Sequence, residues 1–155
     1  MATARIQTQL PTSAERAWSA LLKRDTFLYI THGMLGFAGA DQWPAEFREG
    51  TEVEARLLFF HLVPTWKHHL RIVRVDERKR ELISKEHGGF VRQWNHRITI
   101  EPQLTQRCRY TDEIEIRAGL LTPVVWVFAQ VFYRYRQMRW RRLARTWRLQ
   151  HKVNE

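Results

Sequence analysis

A chain of 155 residues that is 44% hydrophobic and 12% aromatic excludes a disordered segment and fits one ordinary domain with its own core, residues 1–155. The formal charge of +10 favours anionic partners or plain solubility, and the placement of that charge matters more than its sum. One cysteine, Cys108, excludes an internal disulfide; no apolar leader opens Met1–Thr8 and no apolar run spans a bilayer, so a cytoplasmic protein is expected.

Ala4, Ile6, Thr8 and Leu10 alternate with Arg5, Gln7 and Gln9, which predicts a half-buried strand. Pro11 breaks it. Thr12-Ser13-Ala14-Glu15 then reads as a capping box opening a helix whose buried stripe is Ala14, Ala17, Trp18, Leu21 and Leu22. A second short helix follows over 25–31, stopped by Gly33. Residues 33–50, with Gly33, Gly36, Gly39, Pro44 and Gly50, read as a flap with at most a short strand, laying Met34, Leu35, Phe37 and Trp43 on apolar surface. Strand signals come in series over 52–59, 67–75 after the Pro64 break, 81–86, 91–100 and 107–117, with turns at 76–79, 88–89 and 102–106. This is a meander of hairpins. Pro123 suits the first turn of a final helix over 123–148. Val124, Val127, Phe128, Val131, Phe132, Tyr135 and Met138 fall on one side of it, the stripe a sheet would grip. The fold class is α+β: a curved antiparallel sheet of six or seven strands around a long C-terminal helix, with two short helices after the first strand.

The last hairpin carries the sharpest constellation. Trp94, His96, Ile98 and Ile100 share one face of its first strand; Cys108, Tyr110, Asp112, Ile114 and Ile116 share one face of its second. The isoleucines mark that face as inward, so His96 and Asp112 point in. A turn centred near residue 104 sets them opposite each other. A carboxylate beside an imidazole can fix hairpin register, anchor a ligand in an apolar cavity, or act as acid and base with Tyr110. Phe59, Trp94, Tyr110, Phe128 and Phe132 would wall such a cavity, with His61, on the strand face of Phe59, and Tyr135 as further ligand-binding residues. His68 and His69 are adjacent and point to opposite faces, so at most one joins His61. With no HExxH spacing and no cysteine nearby, neither a metal nor a cofactor is expected. Cys108 reads as a buried structural thiol. No phosphate-cradling glycine motif and no nucleophile elbow occurs, so nucleotide and hydrolase readings fall away. No specific nucleic-acid partner is expected.

On the final helix Trp126, Tyr133, Trp140 and Trp147 recur every seven residues, a line opposite the valine stripe, flanked by Arg134, Arg136, Arg141 and Arg148. Aromatic rings and arginines away from the core read either as a partner face or as rings covered by arginine stems or by the N-terminal segments. A second copy of the chain, an acidic partner, an acidic membrane surface or a nucleic-acid groove would fit such a face.

The order strand, two helices, antiparallel strands, long helix resembles the START and birch-pollen-allergen superfamily, also called SRPBCC, whose architecture is the helix grip. The opening IQTQLPTSAERAWSALL looks like the family's first strand and helix. The stretch WNHRITIEPQLTQRCRYTDEIEIRAGLL looks like its last hairpin. The resemblance spans about residues 3–148; the arginine density of the last helix departs from it. It implies a fold whose members bind lipids, sterols or plant metabolites, cyclise polyketides, or assist other proteins. Non-enzymatic binding of an apolar small molecule is therefore the leading expectation. An interaction module on the basic aromatic helix face comes next, and a cyclase using His96 and Asp112 after it.

Overall fold

The computed structural model describes residues 1–153. Strand β1 (Ala2–Leu10) leads into helices α1 (Ala14–Leu21) and α2 (Arg24–Thr31), and six further strands follow: β2 (Leu35–Ala38), β3 (Glu52–Phe59), β4 (Val63–Asp76), β5 (Glu81–Gly88), β6 (Val91–Gln103) and β7 (Arg107–Arg117). Helix α3 (Thr122–Val153) closes the described chain. The strands form one antiparallel sheet in the order β1-β7-β6-β5-β4-β3-β2. Register shifts in β3, β4 and β5 bend it into a half-barrel, because an extra residue on one strand increases local twist. This is the helix-grip architecture expected from the sequence. Among the described residues no helix is long and apolar enough to cross a membrane.

Local differences have simple causes. The N-cap of α1 is Ser13, whose Oγ accepts from the Arg16 amide at 3.3 Å. Glu15 therefore does not close a capping box; it pairs with Arg80. The flap begins as a true edge strand, β2, with Leu35 opposite Phe59, and Trp43 and Phe47 beyond it are buried. Pro64 does not break β4. It lies opposite Leu58 beside the hairpin tip, where a missing amide costs little. At that tip Phe60 and His61 adopt φ of 52° and 60°, and the Phe60 amide bonds to the Met34 carbonyl.

The main correction concerns which face of α3 the sheet grips. Beyond its first residue, Thr122, the buried residues are Val125, Ala129, Phe132, Tyr133, Arg136, Gln137, Trp140 and Ala144. Val124, Val127 and Val131 are 66%, 56% and 55% exposed. At 100° per residue the buried face lies about 150° around the axis from the expected valine stripe. The aromatic line expected to meet a partner is the core-facing one: Tyr133 and Trp140 are buried, and Trp147 is half-covered beneath the Arg16 guanidinium, 4.9 Å from its ring. Trp126 stays exposed, donating to the Thr3 carbonyl at 2.9 Å. Arg136 is buried, and Arg141 donates to Thr8 Oγ1 at 2.7 Å. The hollow of a half-barrel is deep, and large rings span it where valines would leave a gap.

Two apolar clusters result. One gathers α1, α2 and the far ends of the strands around Trp140 and Tyr110. The other gathers Ala4, Ile6, Trp94, Ile114 and Ile116 around Val125, Ala129, Phe132 and Tyr133.

Candidate functional site

Between the concave sheet and the N-terminal half of α3 lies a cavity of about 300 Å³. Leu57 and Phe59 of β3, Trp66 of β4, Val91 and Trp94 of β6, and Val125, Phe128 and Phe132 of α3 form its walls. Phe59 meets Phe128 edge-on at 5.7 Å, Phe128 stacks on Phe132 at 5.6 Å, and Trp66 packs against Phe90 at 4.8 Å. The Trp66–Phe90 contact depends on glycine. A Cβ on Gly88 would sit 2.6 Å from both the Lys67 carbonyl and the Trp66 ring, so only a bare backbone lets the indole lie across the hairpin.

Five polar side chains interrupt this apolar wall: Thr31, His68, Glu86, Tyr133 and Arg136. The Glu86 carboxylate accepts from His68 Nε2 at 2.9 Å and from Ser84 Oγ at 2.7 Å. Burial pushes its pKa up, but the His68 hydrogen bond, the nearby His68 and His96 and the Ser84 hydroxyl outweigh it, and the group is held below the usual carboxylate range. Tyr133 Oη accepts from the Trp94 indole at 3.0 Å and faces His96 Nδ1 at 3.4 Å. His96 Nε2 meets Asp112 Oδ1 at 2.8 Å, and Gln137 Nε2 donates to Asp112 Oδ2 at 2.9 Å and to the Ile6 carbonyl at 2.8 Å. The chain from Trp94 through Tyr133, His96 and Asp112 to Gln137 thus ties α3 to β1, β6 and β7. Burial holds the Tyr133 hydroxyl far above its usual range, so it acts as a neutral group.

His96 and Asp112 do point inward and touch, but diagonally: His96 pairs with Ile114 and Ile98 with Asp112. The turn is centred near 105, one residue beyond the expected position, and that shifts the partner by two. Neither lines the large cavity; they lie beneath Tyr133, with His96 facing a minor void of about 30 Å³. Phe59, Trp94, Phe128 and Phe132 line the cavity where the sequence reading put its walls. Three residues do not. Tyr110 packs on Trp140 at 5.3 Å in the other cluster. His61 sits at the exposed β3–β4 tip, where its Nε2 accepts from the Gly33 amide at 3.0 Å and its ring lies 4.5 Å from His32. Tyr135 bonds the His32 carbonyl. His69 pairs with Glu54 and stacks on His87. Cys108 is fully buried, and burial pushes its thiol up to about 11, which makes it a poor nucleophile.

Sequence reasoning missed Trp66, His68, Glu86, Tyr133 and Arg136 as cavity residues. For His68 a signal existed: it shares strand parity with Leu70 and Ile72, both buried. For Tyr133 and Arg136 the mistaken helix face hid it.

Residues 38–147 match the model of a family described as a domain of unknown function, DUF8410. No curated protein matches the chain. Solved structures share its fold. The X-ray structure of protein CV1439 from Chromobacterium violaceum is similar with a TM-score of 0.72 at 12% identity, over 92% of this chain and 96% of that one. A START superfamily protein from Mycobacterium smegmatis is similar with a TM-score of 0.67 at 10% identity, over 93% and 97%. Norcoclaurine synthase from Thalictrum flavum, solved in complex with dopamine and hydroxybenzaldehyde, is similar with a TM-score of 0.62 at 14% identity, over 92% and 85%.

Proposed function

We propose that this chain, which belongs to the DUF8410 family, binds an apolar small molecule in the cavity between the sheet and the start of α3. The observation that carries this reading is the cavity itself: about 300 Å³, walled mainly by aromatic and aliphatic side chains with a few polar groups set among them. Protein interiors do not keep such space by default. The START superfamily fold and the small molecules held by the norcoclaurine synthase structure agree with this use. The experiment is titration with a neutral fluorescent hydrophobe such as N-phenylnaphthylamine. Binding should be saturable, and Val91→Trp, which fills the wall, should weaken it at least tenfold while the circular dichroism spectrum is unchanged. Unaltered affinity in that variant would remove the cavity from consideration.

A cyclase-like role for His96 and Asp112 has less support. Their facing atoms already have partners inside the fold, and Tyr110 lies in the other cluster. In the present reading the pair positions Tyr133 and joins helix to sheet.

A second reading concerns the outer face of α3. Leu120 is fully exposed, and Val124, Val127 and Val131 continue from it along the helix, followed by exposed Arg134, Arg142 and Arg145. Beside the cavity mouth, Phe90 is also exposed. An apolar strip running into a basic one is what a peripheral helix lays on an acidic lipid surface. Co-sedimentation with vesicles containing phosphatidylglycerol should exceed that with phosphatidylcholine alone and fall on Val127→Asp. Equal sedimentation with both lipids, or a dimer dissolved by Val127→Asp, would rule this reading out.

A further inference from the structure

Arg136 is the least explained group in the molecule. Only 3% of its surface is exposed, its Nε is buried without a hydrogen-bond partner, and no carboxylate lies at ion-pairing distance among the described residues. Its guanidinium rests among rings, 4.9 Å from the centroid of Tyr133, 5.8 Å from Phe132 and 6.0 Å from Phe27. It forms part of the wall of the large cavity. A buried cation without a partner is expensive, and folds retain one only where something compensates it.

The neighbouring carboxylates act on it through space but make no hydrogen bond to it. Both oxygens of Asp112 are taken by His96 and Gln137, and both oxygens of Glu86 by Ser84 and His68. Ring faces supply part of the compensation, since a cation is attracted to an aromatic face. They leave the Nε–H of its planar donor fork without an acceptor. A fork of that shape matches a carboxylate with two parallel hydrogen bonds. Two more unpaired polar atoms belong to residues of the same wall, Trp66 Nε1 and His68 Nδ1.

We propose that the ligand of this cavity is an amphipathic carboxylate whose head group is held by Arg136, with its apolar body against Trp94, Phe128 and Phe132. This rests on the cavity reading above and narrows it from apolar molecules in general to apolar acids. The unbonded guanidinium sets the specificity: an alcohol or amine of the same shape leaves its Nε–H buried and unpaired. Burial pulls the Arg136 pKa down, but the oxygens of Tyr133, Asp112, Tyr110 and Glu86 more than offset it, so the charge persists in the folded protein.

Calorimetric titration of the whole chain with matched pairs tests this: decanoate against decanol for an alkyl body, naphthoate against naphthylmethanol for an aromatic one. In at least one pair the acid should bind tenfold or more tighter than the alcohol, and the pair that does so identifies the body. Arg136→Met should abolish that preference while retaining the alcohol. The same variant, lacking ligand, should stay folded, because methionine keeps the packing against the rings and removes a group whose Nε has no hydrogen-bond partner. Acid and alcohol binding equally would overturn the anion assignment and leave the cavity reading intact. Binding of neither pair would overturn both. A large loss of stability in Arg136→Met, with the wild-type acid preference absent, would make the arginine a structural element only.

Discussion

At the residue scale, Glu86 shows how a carboxylate inside an apolar wall becomes a stabilising group. His68 and Ser84 satisfy both of its oxygens, and its pKa lies below the ordinary 4.5 although burial acts in the other direction. The unfolded chain therefore takes up this proton at a pH where the folded chain still excludes it. The resulting stabilisation is fully present above about pH 4.5 and is lost as the pH falls through the lowered folded value. Urea unfolding followed from about pH 6 to about pH 3 should show stability falling with acidification. In Glu86→Gln that slope should be shallower, because Glu54 and Asp76, also held low, remain to titrate. An unchanged acid slope would remove Glu86 from this role. Asp112 works differently: Asp112→Ala strands His96 and Gln137 in the core, and the cost should be about 3–5 kcal/mol by denaturant titration, as for other broken buried polar pairs.

At the element scale, α3 tests which physical signal sets the face of a long helix. Its aliphatic residues suggested one face and its seven-residue aromatic spacing another, and packing follows the rings. Trp140→Ala should cost about 3–5 kcal/mol by thermal or urea unfolding, because it leaves a hole between α3 and Tyr110 of β7. Val127→Ala should change stability by less than about 0.5 kcal/mol, since the side chain is in solvent. The reverse order would restore the valine stripe as the gripped face. The strands were legible because alternation is a strict code: β6 and β7 bury the residues their parity assigned, Trp94 to Ile100 and Cys108 to Ile116, and in β1 and β3 only Thr8 and Phe59 of the assigned faces are half-buried. Helix parity is weaker. Arg136 and Gln137 sit inward because one rests on rings and the other bridges Asp112 to Ile6, and no hydropathy pattern predicts either contact. The site was legible to the same degree: the walls on strands and at Phe128 and Phe132 were readable, whereas the polar groups from α3 depended on the face that was misassigned.

At the scale of the whole molecule, α3 is gripped by two clusters of unequal solidity. Its C-terminal half, from Arg136 to Ala144, enters the cluster around Trp140 and Tyr110, where α1 and α2 also pack. Its N-terminal half spans the cavity, where Val125, Ala129 and Phe132 hold the sheet at one side and empty space adjoins the other. Local stability follows the density of packed contacts, so the hollow end should open more readily than the filled one. Hydrogen exchange read by mass spectrometry should show faster exchange over 122–132 and over the β3–β4 tip at 58–64 than over 136–144. A ligand bound in the cavity adds contacts only at the hollow end, so the neutral fluorescent hydrophobe should slow exchange there and leave 136–144 unchanged. Uniform protection along α3, or slowing confined to its C-terminal half, would contradict both the placement of the site and the division of the helix. The same inequality gives entry a route: the elements that open most easily are those around Phe59, Phe90 and Phe128, whose rings line the cavity.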